Sequence, residues 1–168
     1  SYSYGKQRGI VDVDLTIDKG EVFGFLGPNG AGKTTTLRLL LDVIRPKQGT
    51  ASIFGFDCQQ NGVAARKHVG YLPGELALPG NMRGRSYLNM LDAMRGQADP
   101  DYRRQLCGRL DLDVSRRIRE YSRGNKQKLG LVAAMMHKPD LLILDEPTSG
   151  LDPLVQQTVL ELVRETRA

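Results

Sequence analysis

The chain has 168 residues, 24 Lys+Arg against 19 Asp+Glu for a formal charge of +5, and 40% hydrophobic and 26% charged residues. That is enough chain for one domain with a buried core and an inserted subdomain, and the composition excludes a disordered protein. The longest apolar stretches, Leu129–Met136 and Leu141–Leu144, fall far below the roughly 18 residues of a membrane-spanning helix. Ser1–Gly9 lacks the apolar core of a signal peptide, so neither secretion nor a membrane-embedded chain is expected.

The two cysteines, Cys58 and Cys107, are far apart and lack metal-ligand spacing, as expected for reduced thiols in a reducing compartment. The basic residues are spread out. Arg103-Arg104 and Arg116-Arg117-Ile118-Arg119 are the tight groups, each with acids nearby, which describes a solvated face, and no nucleic-acid partner is expected.

In chain order, Val11–Ile17 alternates apolar and polar residues, the pattern of a half-buried strand. Lys19-Gly20 makes a turn, and the mostly apolar Glu21–Leu26 suits a strand covered on both faces. Gly27–Gly32 is a glycine-rich turn. Lys33–Ile44 then has Leu37, Leu40, Leu41 and Ile44 at the spacing of one buried helical stripe, with Pro46 expected to end it. Gly49–Phe56 and Val69–Leu72 read as strands. From Gly80 to about Gly124, Tyr87, Leu88, Leu91 and Met94, then Leu106 and Leu110, mark amphipathic helices broken at Gly96 and Pro100. Lys126–His137 reads as a helix and Leu141–Leu144 as a buried strand. Strand, turn, helix and later buried strand together predict an α/β fold with a largely parallel sheet and a helical insertion.

Gly27-Pro28-Asn29-Gly30-Ala31-Gly32-Lys33-Thr34 satisfies the phosphate-loop pattern G-x-x-x-x-G-K-[ST]. A nucleoside triphosphate tail is strongly anionic. Glycines let the backbone wrap it closely, and the following helix turns its positive end toward it. Lys33 is the candidate bridge between β- and γ-phosphates, and the Thr34 hydroxyl a candidate Mg²⁺ ligand; Thr35 completes the candidate nucleotide contacts. Leu141–Leu144 is followed by Asp145 and Glu146. In a parallel sheet, ligands gather at the carboxyl ends of strands, so Asp145 suits Mg²⁺ and Glu146 suits polarising an attacking water. The structural alternative, an acidic pair that only caps a helix, is weakened by the phosphate loop upstream.

Tyr121-Ser122-Arg123-Gly124-Asn125-Lys126-Gln127, then Leu141–Pro147, then Ser149-Gly150-Leu151-Asp152 resemble, in order and spacing, the ATPase subunit of ABC transporters over nearly the whole chain. Tyr121–Asn125 keeps the serine and second glycine of the family signature and departs at three positions, with Arg123 in place of the first glycine. This form resembles the bacterial exporter branch that includes drug-resistance ATPases. The resemblance implies a P-loop NTPase core with a mostly parallel sheet, an N-terminal antiparallel β portion and a helical insertion. The corresponding parts are 1–79, 80–124 and 125–168. It implies ATP and Mg²⁺, closure of two such domains (homo- or heterodimer) head-to-tail on ATP, and a transmembrane permease partner at the cytoplasmic face of the membrane. Ser122 and Gly124 would contact the γ-phosphate of the other subunit, Asp152 would belong to the D-loop, and Tyr4 would stack on adenine.

Two departures stand out. Gly74 occupies the place of the family's Mg²⁺-sensing glutamine, leaving Glu75 as a candidate oxygen ligand. The family's switch histidine lies beyond the D-loop, past Ala168, so the chain reads as part of a longer ATPase lacking sheet strands at both ends and hydrolysing poorly alone. Two rivals remain: a soluble ABC-type ATPase acting on ribosomes or DNA, and a non-catalytic nucleotide-binding regulator.

Overall fold

The computed structural model describes residues 1–4, 7–28, 30–96 and 99–166, with the side chains of Ser3, Tyr4, Gln7 and Arg8 outside that description. It divides into two compact units, Ser1–His68 and Val69–Thr166.

In the first unit, β1 (Tyr2–Tyr4) and β2 (Gln7–Ile10) pair antiparallel, with Tyr2 opposite Ile10. Helix α1 (Lys33–Leu40) follows the glycine-rich turn. A second antiparallel pair joins β3 (Ser52–Ile53) to β4 (Phe56–Asp57), followed by α2 (Gly62–Lys67). Several expectations are corrected here. Val11–Ile17 and Glu21–Leu26 form no strand. Among the described residues no ladder partner runs beside them, and Val11, Val22 and Leu26 are 65%, 57% and 95% exposed. A strand exists through its neighbour's hydrogen bonds, and apolar patterning alone does not supply them.

Helix α1 stops at Leu40 rather than Ile44. Asp42 takes a left-handed φ of 56°, and its carboxylate meets Arg45 at 3.4 Å and Arg66 at 3.7 Å; aspartate is one of the few residues that visit this region readily. Leu39 and Leu41 are the buried leucines, while Leu37, Leu40 and Ile44 are half-buried. Gly49–Phe56 is not one strand but part of a hairpin. Phe54 and Gly55 both have positive φ, 49° and 81°, the twist a two-residue hairpin turn requires.

In the second unit, β5 (Val69–Leu72) and β6 (Leu141–Leu144) run parallel, in register from Val69 opposite Leu141 to Leu72 opposite Leu144. Between them in sequence lie α3 (Gly84–Arg95), α4 (Pro100–Arg109), a short 3₁₀ turn (Ile118–Glu120) and α5 (Arg123–Met135). Helix α6 (Pro153–Glu165) follows β6. The expected break falls where predicted: Gly96 ends α3 with φ 67°, and Pro100 opens α4 behind Asp99, whose carboxylate accepts from the Tyr102 amide at 2.9 Å. Met94 is exposed and does not join the core.

Helix α5 packs closely on β5. A Cβ at Gly70 would lie 2.0 Å from the Ala134 carbonyl oxygen, so only glycine allows this approach. Leu72, Leu88, Leu106, Leu110, Ile118, Leu129, Leu131 and Met135 fill the core around that contact. Arg109 ties α4 to α6 through Glu161 at 3.5 Å and through Glu165. Among the described residues no helix is long and apolar enough to cross a membrane.

Candidate functional site

The phosphate loop belongs to the first unit. Gly30 and Gly32 have φ of 83° and 92°, and a Cβ at Gly32 would also sit 3.0 Å from Cγ2 of Ile10 on β2. The Ala31 amide closes a turn on the Pro28 carbonyl at 3.1 Å. Gly32 then caps α1, its carbonyl accepting from the Thr36 amide at 2.8 Å and the Thr36 hydroxyl at 3.0 Å. Lys33 folds back over the loop, its Nζ donating to the carbonyls of Gly27 at 2.6 Å and Pro28 at 3.0 Å. Thr34 and Thr35 follow in the first turn, which carries no acidic side chain, so the positive helix end is not neutralised locally. Gly27, Pro28, Gly30, Ala31, Gly32, Lys33, Thr34 and Thr35 thus form one continuous bend-and-helix unit. Asn29 lies outside the described residues. Tyr4 contributes its backbone to β1, and its side chain is outside the description.

The carboxylates belong to the second unit. The Asp145 amide donates to the Leu72 carbonyl at 2.9 Å, extending the parallel ladder by one residue, and Asp145 is buried. Gly74 passes close by: a Cβ there would be 3.3 Å from Asp145 Oδ2. Glu75, the next residue, is exposed. Glu146 is exposed and holds a left-handed φ of 51°.

Helix α5 begins three residues earlier than its apolar pattern suggested. Ser122 is its N-cap, accepting from the Asn125 amide at 3.2 Å, and Gly124 lies in its first turn. A Cβ on Gly124 would come 2.9 Å from the Gly150 carbonyl oxygen. The Arg123 guanidinium donates to Ser149 Oγ at 2.8 Å. Asp152 caps α6, accepting from the Val155 amide at 3.0 Å. Sequence reasoning gave Gln127 no role. Its buried amide donates to the carbonyls of Glu146 at 3.1 Å and Pro147 at 3.2 Å. Nothing local in the sequence marked it, since Asn125 two residues earlier is an amide as well.

The residues present suit a nucleotide with its metal. Backbone, ammonium and an acid-free helix start match a phosphate tail. The Thr34 hydroxyl in the first unit and the Asp145 carboxylate in the second are each of a donor type taken by Mg²⁺, which keeps several waters and binds one or two protein carboxylates.

A family model described as ABC transporter matches residues 10–149, which include the phosphate loop, the α5 start and the carboxylate pair. The chain belongs to the ABC transporter family. Among its family relatives, the daunorubicin resistance ATP-binding protein DrrA3 of Streptomyces coeruleorubidus is 38% identical over 96% of this chain and 52% of its own length. The ABC transporter ATP-binding protein NatA of Bacillus subtilis (strain 168) is 33% identical over 95% of this chain and 68% of its own. A solved structure of an ATP-binding subunit of an ABC transporter superposes with TM-score 0.87 at 31% identity, covering 98% of this chain and 70% of that one. The chain spans about half or less of the first curated relatives it matches. Within this family, the mixed α/β architecture, with its parallel pair and antiparallel N-terminal strands, is the shared fold.

Proposed function

We propose that this chain is the nucleotide-binding part of an ABC exporter ATPase, hydrolysing ATP to ADP and phosphate. In this reading a second ATP-binding domain and a transmembrane permease complete the assembly at the cytoplasmic face of the membrane. The observation that carries it is the Lys33 ammonium folded onto its own glycine loop at an acid-free helix start. Its counterpart is an aspartate and a glutamate following a half-buried parallel strand. The names of the relatives, daunorubicin resistance and bacitracin transport ATP-binding proteins, support the exporter assignment.

The chemistry asks little of the protein beyond placement and charge. Lys33 would leave its two carbonyls for the β/γ-phosphate oxygens while the loop amides and the α1 start hold the remaining charge. Thr34 and Asp145 would hold Mg²⁺, which neutralises charge on the phosphoryl oxygens. Glu146 would orient the attacking water through its exposed carboxylate. Ser122 and Gly124, at the start of α5, would meet the γ-phosphate bound by the partner domain, and Asp152, the cap of α6, would belong to the D-loop. Tyr4 would stack on adenine, and Glu75 would take the place of the family glutamine as an oxygen ligand.

The deciding experiment is Glu146→Gln in the intact protein. MgATP binding measured by calorimetry should persist while steady-state turnover falls at least about a hundredfold. Near-normal turnover would remove Glu146 from this role.

A further inference from the structure

Glutamate is a poor occupant of the left-handed region, where the Cβ of an L-residue crowds the following carbonyl oxygen. Such a conformation persists only where the surroundings over-determine it. Around Glu146 they do. Its carbonyl accepts from the Gln127 amide at 3.1 Å and from the Ser149 backbone N–H at 3.1 Å. The same Gln127 nitrogen donates to the next carbonyl, Pro147, at 3.2 Å. Arg123, four residues before Gln127 and so on the same face of α5, donates to Ser149 Oγ at 2.8 Å. One stripe of the helix therefore grips the segment from Glu146 to Ser149. Gln127 is buried and donates to both carbonyls at the turn.

We propose that Gln127 is a positioning residue for hydrolysis: by holding the carbonyls of Glu146 and Pro147 it fixes the left-handed turn that aims the Glu146 carboxylate. This builds on the assignment of Glu146 as the group that orients water. Without the donor, two carbonyls lose their amide partner, and Glu146 relaxes toward the ordinary φ of an L-residue. The side chain then leaves its mark, and misplacement by about 1 Å is worth up to roughly a hundredfold in rate. Nucleotide binding, a property of the Lys33 loop, does not depend on this grip.

The test compares wild type, Gln127→Met, Glu146→Gln and the double variant of the intact protein in its native assembly. It reads kcat, KM, nucleotide affinity and melting temperature. Methionine has nearly the length of glutamine and no donor. The expected result for Gln127→Met is a kcat roughly ten- to hundredfold lower, with KM and affinity within about twofold, since only placement of a group is lost. In the Glu146→Gln background the same change should cause no further loss, because an already disabled group has no placement left to lose. Should Gln127→Met fail to fold, Gln127→Asn, which withdraws the amide by one methylene, carries the same comparison.

Normal kcat in a folded Gln127 variant, with Glu146→Gln inactive, overturns the positioning role and leaves the Glu146 assignment standing. An equal multiplicative loss in both backgrounds, or a parallel loss of affinity, makes Gln127 a structural residue and also overturns it. Near-normal turnover in Glu146→Gln removes the Glu146 assignment, and this role falls with it.

Discussion

The two units of the chain handle their apolar residues in opposite ways. In Val69–Thr166, one cluster from Leu72 to Leu162 is sealed from water around the β5–α5 contact. In Ser1–His68 the buried apolar residues are few, Ile10, Leu39, Leu41, Ile53, Cys58 and Ala65, while Val11, Val13, Leu15, Ile17, Val22, Phe23, Phe25 and Leu26 are exposed. The phosphate loop nevertheless keeps its local geometry. Turn hydrogen bonds, left-handed glycines and a helix start are short-range devices that need no deep core. The carboxylate pair is different, because Asp145 takes its place from a strand ladder and Glu146 from Gln127 of α5, 19 residues earlier. Binding chemistry can be built locally; aiming a carboxylate requires a packed frame.

The contrast is sharpened most by core substitutions. Leu129→Ala removes a fully buried side chain beneath α5, and should destabilise the intact protein by about 2–5 kcal/mol in chemical denaturation. Val22→Ala, at a side chain 57% exposed, should stay within about 0.5 kcal/mol. A loss at Val22 as large as that at Leu129 would break the contrast, showing that the 21–26 run is packed in the intact protein after all.

The next effect separates binding from stability. Lys33→Ala deletes the ammonium proposed to meet phosphate and should weaken nucleotide affinity about tenfold or more by calorimetry. The two carbonyls it leaves, Gly27 and Pro28, return to water, so stability should change by no more than about 0.5 kcal/mol. Unchanged affinity would contradict the phosphate-loop assignment. A large loss of stability with it would show that the ammonium holds the loop together rather than awaiting phosphate.

How much of this was legible in the sequence follows the same division. The phosphate-loop turn, the β5 and β6 runs and the Gly96 break were readable because each announces itself within a few residues, whereas Asp145 and Glu146 were visible only as a pair and the ladder and helix that place them were not. The strands expected at 11–17 and 21–26 were not formed, since a period of two in the first and an apolar run in the second describe faces and say nothing about a partner. Helix α6 was overlooked although Asp152-Pro153 is a cap followed by a first-turn proline, and Val155, Val159 and Leu162 keep helical spacing. The start of α5 was set too late because Arg123, Gly124 and Asn125 carry no apolar side chain, and only the Ser122 cap shows that the helix already includes them. The Gln127 grip and the Gly70 approach were illegible for a plainer reason. Each is a contact between residues far apart in sequence.

The smallest effect concerns His137, which follows α5 and is packed against β5 and α3. Its Nε2 lies 3.3 Å from the Val69 carbonyl, which also accepts from Arg95 at 3.3 Å. Its Nδ1 is buried with no hydrogen-bond partner among the described residues. Burial, and secondarily the Arg95 guanidinium, push the imidazole pKa down, outweighing the Val69 bond and the Asp92 carboxylate. The folded state therefore prefers neutral His137 more than the unfolded chain does. The stability tied to that preference is complete above the ordinary imidazole value of about 6.5 and is lost as pH falls below it toward the depressed folded value. The melting temperature should drop on acidification from about pH 7.5 to about 5.5, and drop less in His137→Gln, which keeps a donor for Val69 and cannot titrate. An identical slope in the two proteins would assign the acid sensitivity to carboxylates instead, and the packed unit would then owe none of its pH response to this buried imidazole.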